Sequence, residues 1–247
     1  AASSDYPLRD VYKRQGHTIS QGESQRMSQN RKGLFISFEG NDGSGKTTQI
    51  RLLSQWFEAA GREVLQFREP GGTPVGEKIR GLVLDNSNQG MEPVTEMLLY
   101  AASRAQLVHA VVRPAVARGA IIILDRFVDS SYAYQGFGRQ LGLEAVRRAN
   151  EPAIAGLMPH LTFFLDLDAD TTMARRNASG LEADRLENES RAFHRRAHDG
   201  YLTLCREEPE RIRRIPVMDG DRQRTPAEVA DEIRHHVQTL LDRWDRD

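Results

Sequence analysis

The stretch Phe38-Glu39-Gly40-Asn41-Asp42-Gly43-Ser44-Gly45-Lys46-Thr47-Thr48 constrains this chain more than any other. Gly40, four residues and then Gly45-Lys46-Thr47 make the P-loop pattern. Glycines let successive backbone N–H groups turn inward and approach a phosphate with no Cβ in the way. Gly40, Asn41, Asp42, Gly43, Ser44, Gly45, Lys46, Thr47 and Thr48 are therefore the candidate nucleotide-phosphate site. Lys46 supplies a point charge near the β- and γ-phosphates, and Thr47 a hydroxyl for Mg²⁺. The flanks agree. Leu34-Phe35-Ile36-Ser37-Phe38 is a short apolar run that reads as a strand. Thr48 to Phe57 repeats apolar residues at helical spacing. That helix would add the positive end of its dipole.

Composition narrows the class. The chain has 247 residues, 39% of them apolar, which suffices for a sizeable core. Its net charge of −1 argues against a nucleic-acid footprint. No apolar run approaches the roughly 20 residues of a membrane span. The single cysteine, Cys205, rules out an internal disulfide and suits a reducing cytoplasm. Residues 1–32 are polar, without helical or strand period and without the apolar centre of a secretory signal. They read as a disordered extension, partly non-native, with Met27-Ser28 a plausible start. Residues 33–247 then form one domain.

Along that domain strands alternate with helices. Glu63 to Phe67 is a second strand, running into Arg68-Glu69-Pro70-Gly71-Gly72-Thr73 where open α/β sheets bind ligands. Val75 to Leu84 is a helix carrying Arg80, followed by a polar loop to Gly90. Glu92 to Ala117 has a long helical pattern that Pro114 bends or divides. Tyr100 and Arg104 share one face of it. That spacing suits base stacking with edge recognition, and equally a core tyrosine beside a solvated arginine. Ala120 to Asp125 is apolar at every position until its final carboxylate, as in a central parallel strand. Asp125 fits a Walker-B-like role toward Mg²⁺, and Arg126 a phosphate clamp. Ser130 to Arg139 is polar and aromatic with an irregular backbone. Leu161 to Asp166 and a short Arg213 to Asp219 complete five strands. Phe193 to Cys205 is helical, and Thr225-Pro226 opens a last helix to about Trp244. The expectation is an α/β fold with a parallel sheet covered on both faces.

These motifs together resemble thymidylate kinase, bacterial type: Gly40 to Thr48, Arg68 to Thr73, Tyr100 with Arg104-Ala105-Gln106, Asp125-Arg126-Phe127, Tyr134-Gln135-Gly136 and Asp184-Arg185. The resemblance runs from about Gly33 to the C-terminus. It implies the three-layer α/β/α P-loop nucleoside monophosphate kinase fold with a small lid at about 176–188. It implies phosphorylation of dTMP by ATP with Mg²⁺, and a homodimer. Position by position, it puts Asp42 on the acceptor's 3′-hydroxyl and on its arginine neighbour. It places Arg80 and Arg126 on the dTMP phosphate, matches Arg68 and Glu69 to the family's arginine–glutamate pair before the proline turn, and puts Glu69 at the dTMP site. Tyr100 would stack on thymine, and Arg104 would bond the base edge. Ser131 and Gln135 would add polar base contacts, and Tyr134 would crowd the sugar's 2′ position.

One departure concerns the lid. Family members without an arginine in the P-loop carry catalytic arginines there, often as Arg-Gly two residues before Asp-Arg. Here Ser179 precedes Gly180, and Leu181-Glu182-Ala183 separates Gly180 from Asp184. Arg185, Arg176 or Arg175 would take the role, in that order of preference. The rival readings are a kinase for another nucleoside monophosphate and a P-loop ATPase module without a small acceptor.

Overall fold

Six consecutive buried residues, Leu34 to Glu39, form the centre of the sheet, because both faces of this strand are covered. A computed structural model of the chain describes residues 32–168, 171–172 and 183–244. The expected extension over 1–32 lies outside them except for Lys32. So do Arg175, Arg176 and the first part of the expected lid.

The strands are β1 (Leu34–Glu39), β2 (Val64–Arg68), β3 (Ile121–Asp125), β4 (Leu161–Asp166) and β5 (Ile212–Pro216). They are all parallel, in the order β2-β3-β1-β4-β5. Alternate residues serve opposite faces. Leu34, Ile36, Phe38, Ile121, Ile123, Phe163 and Leu165 meet Ile50, Leu53 and Phe57 of α1 (Lys46–Ala59) and Val229, Ile233 and Val237 of α8 (Pro226–Trp244). Phe35, Ile122, Leu124 and Phe164 face the other way. They meet Leu107 of α3 (Pro93–Leu107), Val146 of α6 (Leu143–Ile154), and Phe193, Tyr201 and Leu204 of α7 (Arg191–Glu207). The result is three layers, α/β/α. It explains why β3 is apolar without alternation: Ile121 and Ile123 fill one core, Ile122 and Leu124 the other.

Helix starts differ in a way that matters for the site. Thr73 caps α2 (Pro74–Leu84) by accepting from Gly76 N–H, and Ser190 caps α7 by accepting from Phe193 N–H. At α8, Thr225 and Glu228 form a reciprocal capping box. α1 has no side-chain cap and no acidic residue in its first turn. Its first amides are left facing the glycine loop.

Three segments depart from the sequence expectations. The long pattern from Glu92 divides into α3, a π-helical turn at Val108–Val112 and α4 (Arg113–Ala117). Pro114 sits in the first turn of α4, directly after the wide turn that makes room for its ring and missing N–H. The supposedly irregular Ser130 to Arg139 is helical: α5 (Val128–Ser131) runs into a π-helical Tyr132–Gly138. β5 starts at Ile212 and stops at Pro216. Beyond it Met218–Asp219 (β6) pairs with Arg222–Gln223 (β7) across Gly220, whose φ is +57°. α2 is followed by a 3₁₀ turn at Asn86–Asn88.

Candidate active site

The register of the sheet brings the motifs together. β1 pairs with β3 from Leu34 opposite Ile121 to Phe38 opposite Asp125. Glu39 and the P-loop therefore leave the sheet beside Asp125 and Arg126. Arg126 N–H donates to Phe38 O, and Glu69 N–H to Asp125 O, so the β2 and β3 exits are tied at one edge. Gly40 has φ +129°, and a Cβ there would lie 2.6 Å from Leu165 O. Gly45, φ +99°, forms the left-handed entry to α1. Only glycine fits both conformations without strain.

Lys46 is buried under the loop. Its Nζ donates to Gly40 O at 3.0 Å, Asn41 O at 3.3 Å and Asp42 Oδ1 at 3.3 Å. Asp125 Oδ1 lies 4.0 Å from it. Ser44 Oγ and Asp125 Oδ1 are buried polar atoms with no hydrogen-bond partner. Such atoms are costly unless something else satisfies them. An acceptor carboxylate orphaned beside the loop, with Thr47 exposed at the start of α1, is a donor set that fits a hard divalent cation. Asn41 Nδ2 holds Leu167 O, and its Oδ1 accepts from the Tyr134 hydroxyl.

A second cleft opens next to the loop. It is lined by Asp42, Glu69, Arg80, Tyr100, Arg126, Ser131, Tyr134 and Gln135 among others. Eight residues singled out from the sequence thus share one wall. Asp42 joins the two regions, since its Oδ1 also accepts from Arg126 Nη2 at 3.2 Å. Burial works against its ionisation, but Lys46 and Arg126 outweigh that and hold the carboxyl well below the usual range. Arg126 has φ +69°, its guanidinium lies over the Tyr134 ring at 5.2 Å, and its Nη1 reaches Ser130 Oγ. Arg80 donates to Pro70 O across the cis Glu69-Pro70 turn. Burial and the neighbouring Arg68 lower its pKa. Arg68 Nη2 pairs with Glu77 at 3.1 Å.

Two expected site residues are placed elsewhere. Arg104 is 1% exposed, and every nitrogen of its guanidinium is engaged. Nε donates to Glu69, Nη1 to Ser131 and Asn150, and Nη2 to Phe127 O. It stands behind the cleft wall and holds Glu69 and Ser131, so it does not offer a base edge a free donor. Arg185 is not presented to the cleft either. Its Nε donates to Val83 O at 2.8 Å and its Nη2 to Glu96 at 2.7 Å, both buried. It ties the later part of the expected lid to the end of α2, where Arg185 N–H also meets Leu84 O.

Several residues at the site had no place in the sequence reading. Glu39, wholly buried, accepts from Phe127 N–H, Ser130 Oγ and Tyr201 Oη. Burial and the nearby Asp129 push its carboxyl up to about 7. Burial likewise raises Glu69 to about 7 against the pull of Arg104, and leaves Glu69 Oε1 unpartnered. Glu96 collects Gln135, Arg139 and Arg185. The sequence signal for it was available: Glu96, Tyr100 and Arg104 recur every four residues on one face of α3. Glu187 also lines the cleft. Burial and the carboxylates of Asp184 and Asp42 raise it, although Asp184 N–H donates to it. Asn150 lies on α6, whose helical pattern is obscured by Pro152 inside it.

Cations converging from a P-loop and from a neighbouring cleft are what transfer between two phosphate groups requires, and the fold is that of the P-loop nucleoside monophosphate kinases. The thymidylate kinase family model matches residues 38–223. A thymidylate kinase of Thermoanaerobacter sp. (strain X514) is 52% identical over 181 residues, 73% of this chain and 88% of the relative. One from Symbiobacterium thermophilum is 47% identical over 210 residues, 85% and 95% of the two chains. The crystal structure of thymidylate kinase from Ehrlichia chaffeensis superposes with a TM-score of 0.66 at 29% identity, covering 83% of this chain and 98% of that one. The chain belongs to the thymidylate kinase family.

Proposed function

We infer that this chain transfers the γ-phosphoryl group of ATP to dTMP, giving ADP and dTDP on the route to dTTP. Family membership selects this over the two rival readings, another monophosphate acceptor or an ATPase module. The observation that carries the geometry is Asp42 Oδ1, held at once by Lys46 of the P-loop and Arg126 of the acceptor cleft. It fixes the two phosphate-binding cations in one frame.

The chemistry follows from that frame. A non-bridging oxygen of the dTMP phosphate forms the new bond to the γ-phosphorus, and the bond from that phosphorus to the β–γ bridging oxygen breaks. No general base is needed, because the nucleophile is already an anion. What the protein supplies is in-line positioning and neutralised charge. Gly40 to Thr48 cradle the ATP phosphates, with Lys46 on the β and γ groups. Arg126 and Arg80 hold the acceptor phosphate, and Asp42 takes the 3′-hydroxyl. Tyr100, pressed into the cleft wall, stacks on the base. Ser131 and Gln135 meet its edge, and Tyr134 closes the sugar's 2′ side. Glu69 lines the cleft at the dTMP site, and Arg104 supports it and Ser131 from behind. Thr47 and Asp125 would hold Mg²⁺, which when bound neutralises charge on the ATP phosphates. The lid arginine falls to Arg176 or Arg175, because Arg185 is committed to Glu96.

A homodimer fits the surface. The exposed large hydrophobic residues among the described ones, Val75, Leu82, Val94 and Leu98, all lie on α2 and α3. A second copy would cover them. Residues 33–247 act as one kinase domain. A cytoplasmic setting accords with Cys205 as the sole cysteine, and no helix among the described residues is long and apolar enough to cross a membrane.

The test is ADP release from ATP and Mg²⁺ with dTMP, dUMP, dCMP, GMP, thymidine or no acceptor. Fast turnover with dTMP, slower with dUMP and background with the rest is expected. Equal ADP formation without any acceptor would reject the kinase reading.

A further inference from the structure

Glu96 is 0% exposed, yet four N–H groups converge on its carboxylate. Gln135 Nε2 donates to Oε1 at 2.8 Å. Arg139 donates from Nε to Oε1 at 3.2 Å and from Nη2 to Oε2 at 2.7 Å. Arg185 Nη2 reaches Oε2 at 2.7 Å. Burial favours the neutral acid, but the hydrogen bonds from Arg139 and Gln135 outweigh it and keep Glu96 below the ordinary range. Two guanidinium groups balance its charge, so the bond from Gln135 is not needed for neutralisation. Its consequence is orientation.

An ionised carboxylate only accepts hydrogen bonds. The Gln135 atom facing Glu96 must therefore be Nε2. Oε1 is then the amide atom left for the cleft, which Gln135 lines. A lone glutamine amide can turn over and present either atom. This one is held, with Gln135 itself 1% exposed. We propose that Glu96 is a specificity-determining positioning residue: by fixing the Gln135 amide it presents a hydrogen-bond acceptor to the base, and so selects pyrimidines with a ring N–H over cytosine. Thymine and uracil carry that N–H at N3. Cytosine has a lone pair there, which would face the lone pairs of Oε1. A site built around one fixed polar partner discriminates strongly, because the wrong base leaves buried groups unpaired. The proposal rests on the dTMP reading above, and it adds which residue, outside the cleft, sets the base code.

The experiment measures kcat/KM for dTMP, dUMP and dCMP in the wild-type chain, in Glu96→Gln and in the exchange variant Glu96→Gln with Gln135→Glu. Arg139 Nη2 and Arg185 Nη2 only donate, so they hold the new amide oxygen in the place of Oε2 and turn the amide nitrogen toward residue 135, where Gln135 Nε2 no longer finds an acceptor and its amide turns over. The dTMP/dCMP ratio should fall at least about tenfold, while the dTMP/dUMP ratio stays within about twofold, since both bases share the N3–H. The exchange variant keeps one carboxylate in the pair, accepting from the amide nitrogen at 96, and turns its other oxygen to the cleft. It should recover the wild-type preference, and it serves as the reading if Glu96→Gln does not fold. An unchanged dTMP/dCMP ratio in folded Glu96→Gln overturns the proposal. So does an equal loss with all three acceptors, or an exchange variant that no longer prefers dTMP. A wild-type chain that fails to use dTMP would instead reject the function itself, and that outcome needs no substitution to be seen.

Discussion

The guanidinium of Arg126 sits over the Tyr134 ring, 5.2 Å from its centroid, while its Nη2 donates to Asp42 and its Nη1 to Ser130. Only a planar fork can stack and donate in two directions at once. Arg126→Lys keeps the charge but loses the stack and one of the two anchors. kcat/KM for dTMP is expected to fall about a hundredfold or more, roughly 3 kcal/mol of transition-state stabilisation. The melting temperature should move little, since Arg126 faces the cleft. A variant with near wild-type kcat/KM would show that charge alone suffices at this position.

The buried pair that joins the cleft wall to the residue behind it should govern stability. Arg104 and Glu69 have side chains 1% and 3% exposed and lie 2.8 Å apart. Removing one partner leaves the other charge buried and uncompensated. Glu69→Ala is expected to cost about 3–5 kcal/mol in urea unfolding. Glu69→Gln keeps an acceptor for Arg104 and should cost less than half of that. Equal losses for the two variants would mean the volume, not the hydrogen bond, matters.

Arg185→Ala separates anchoring from chemistry. The side chain is buried against Glu96 and Val83 O, away from the cleft. Its loss should lower stability by about 3 kcal/mol and raise KM for dTMP as the segment beside Asp184 loosens. At saturating dTMP, kcat should stay within about tenfold. A collapse of kcat with unchanged KM would return Arg185 to a catalytic role. The order of preference drawn from the motif puts Arg185 first because Asp-Arg is a visible landmark. The motif does not show which way its side chain turns.

The same distinction explains what was legible in the sequence. The P-loop announces itself by its fixed spacing after an apolar strand, and β3 and β4 by dense apolar residues that end in a carboxylate. Asp42, Tyr100, Arg126 and Gln135 are read from motifs and do share one cleft. The motif points Arg104 to that cleft too, but the spacing that puts it on the inner face of α3 is the same for an arginine that meets a ligand and for one that meets a wall of acceptors. Asn150, forty-six residues away, supplies one of those acceptors from a helix that the pattern hides. Glu39 carries no role in the sequence reading, where it only precedes the first P-loop glycine. Its hydroxyl partner Tyr201 lies 162 residues on, a contact that no local pattern encodes.

That contact sets a pH dependence. Glu39 is buried among Phe127 N–H, Ser130, Tyr201, Arg126 and Asp129, and burial with Asp129 raises its carboxyl from 4.5 to about 7. The folded state therefore binds its proton more tightly than the unfolded chain. The stabilising contribution is complete below pH 4.5 and is lost as pH rises through 7, in total at most about 3 kcal/mol. Glu39→Gln does not titrate, and the hydroxyls of Ser130 and Tyr201 can accept from its amide. Glu69 shifts the same way but is present in both proteins and cancels in the comparison. The melting temperature of Glu39→Gln minus that of the wild type should rise steadily from pH 5 to pH 7 and level off above. A difference that is flat over this range would show that Glu39 stays ionised throughout, with Arg126 outweighing its burial.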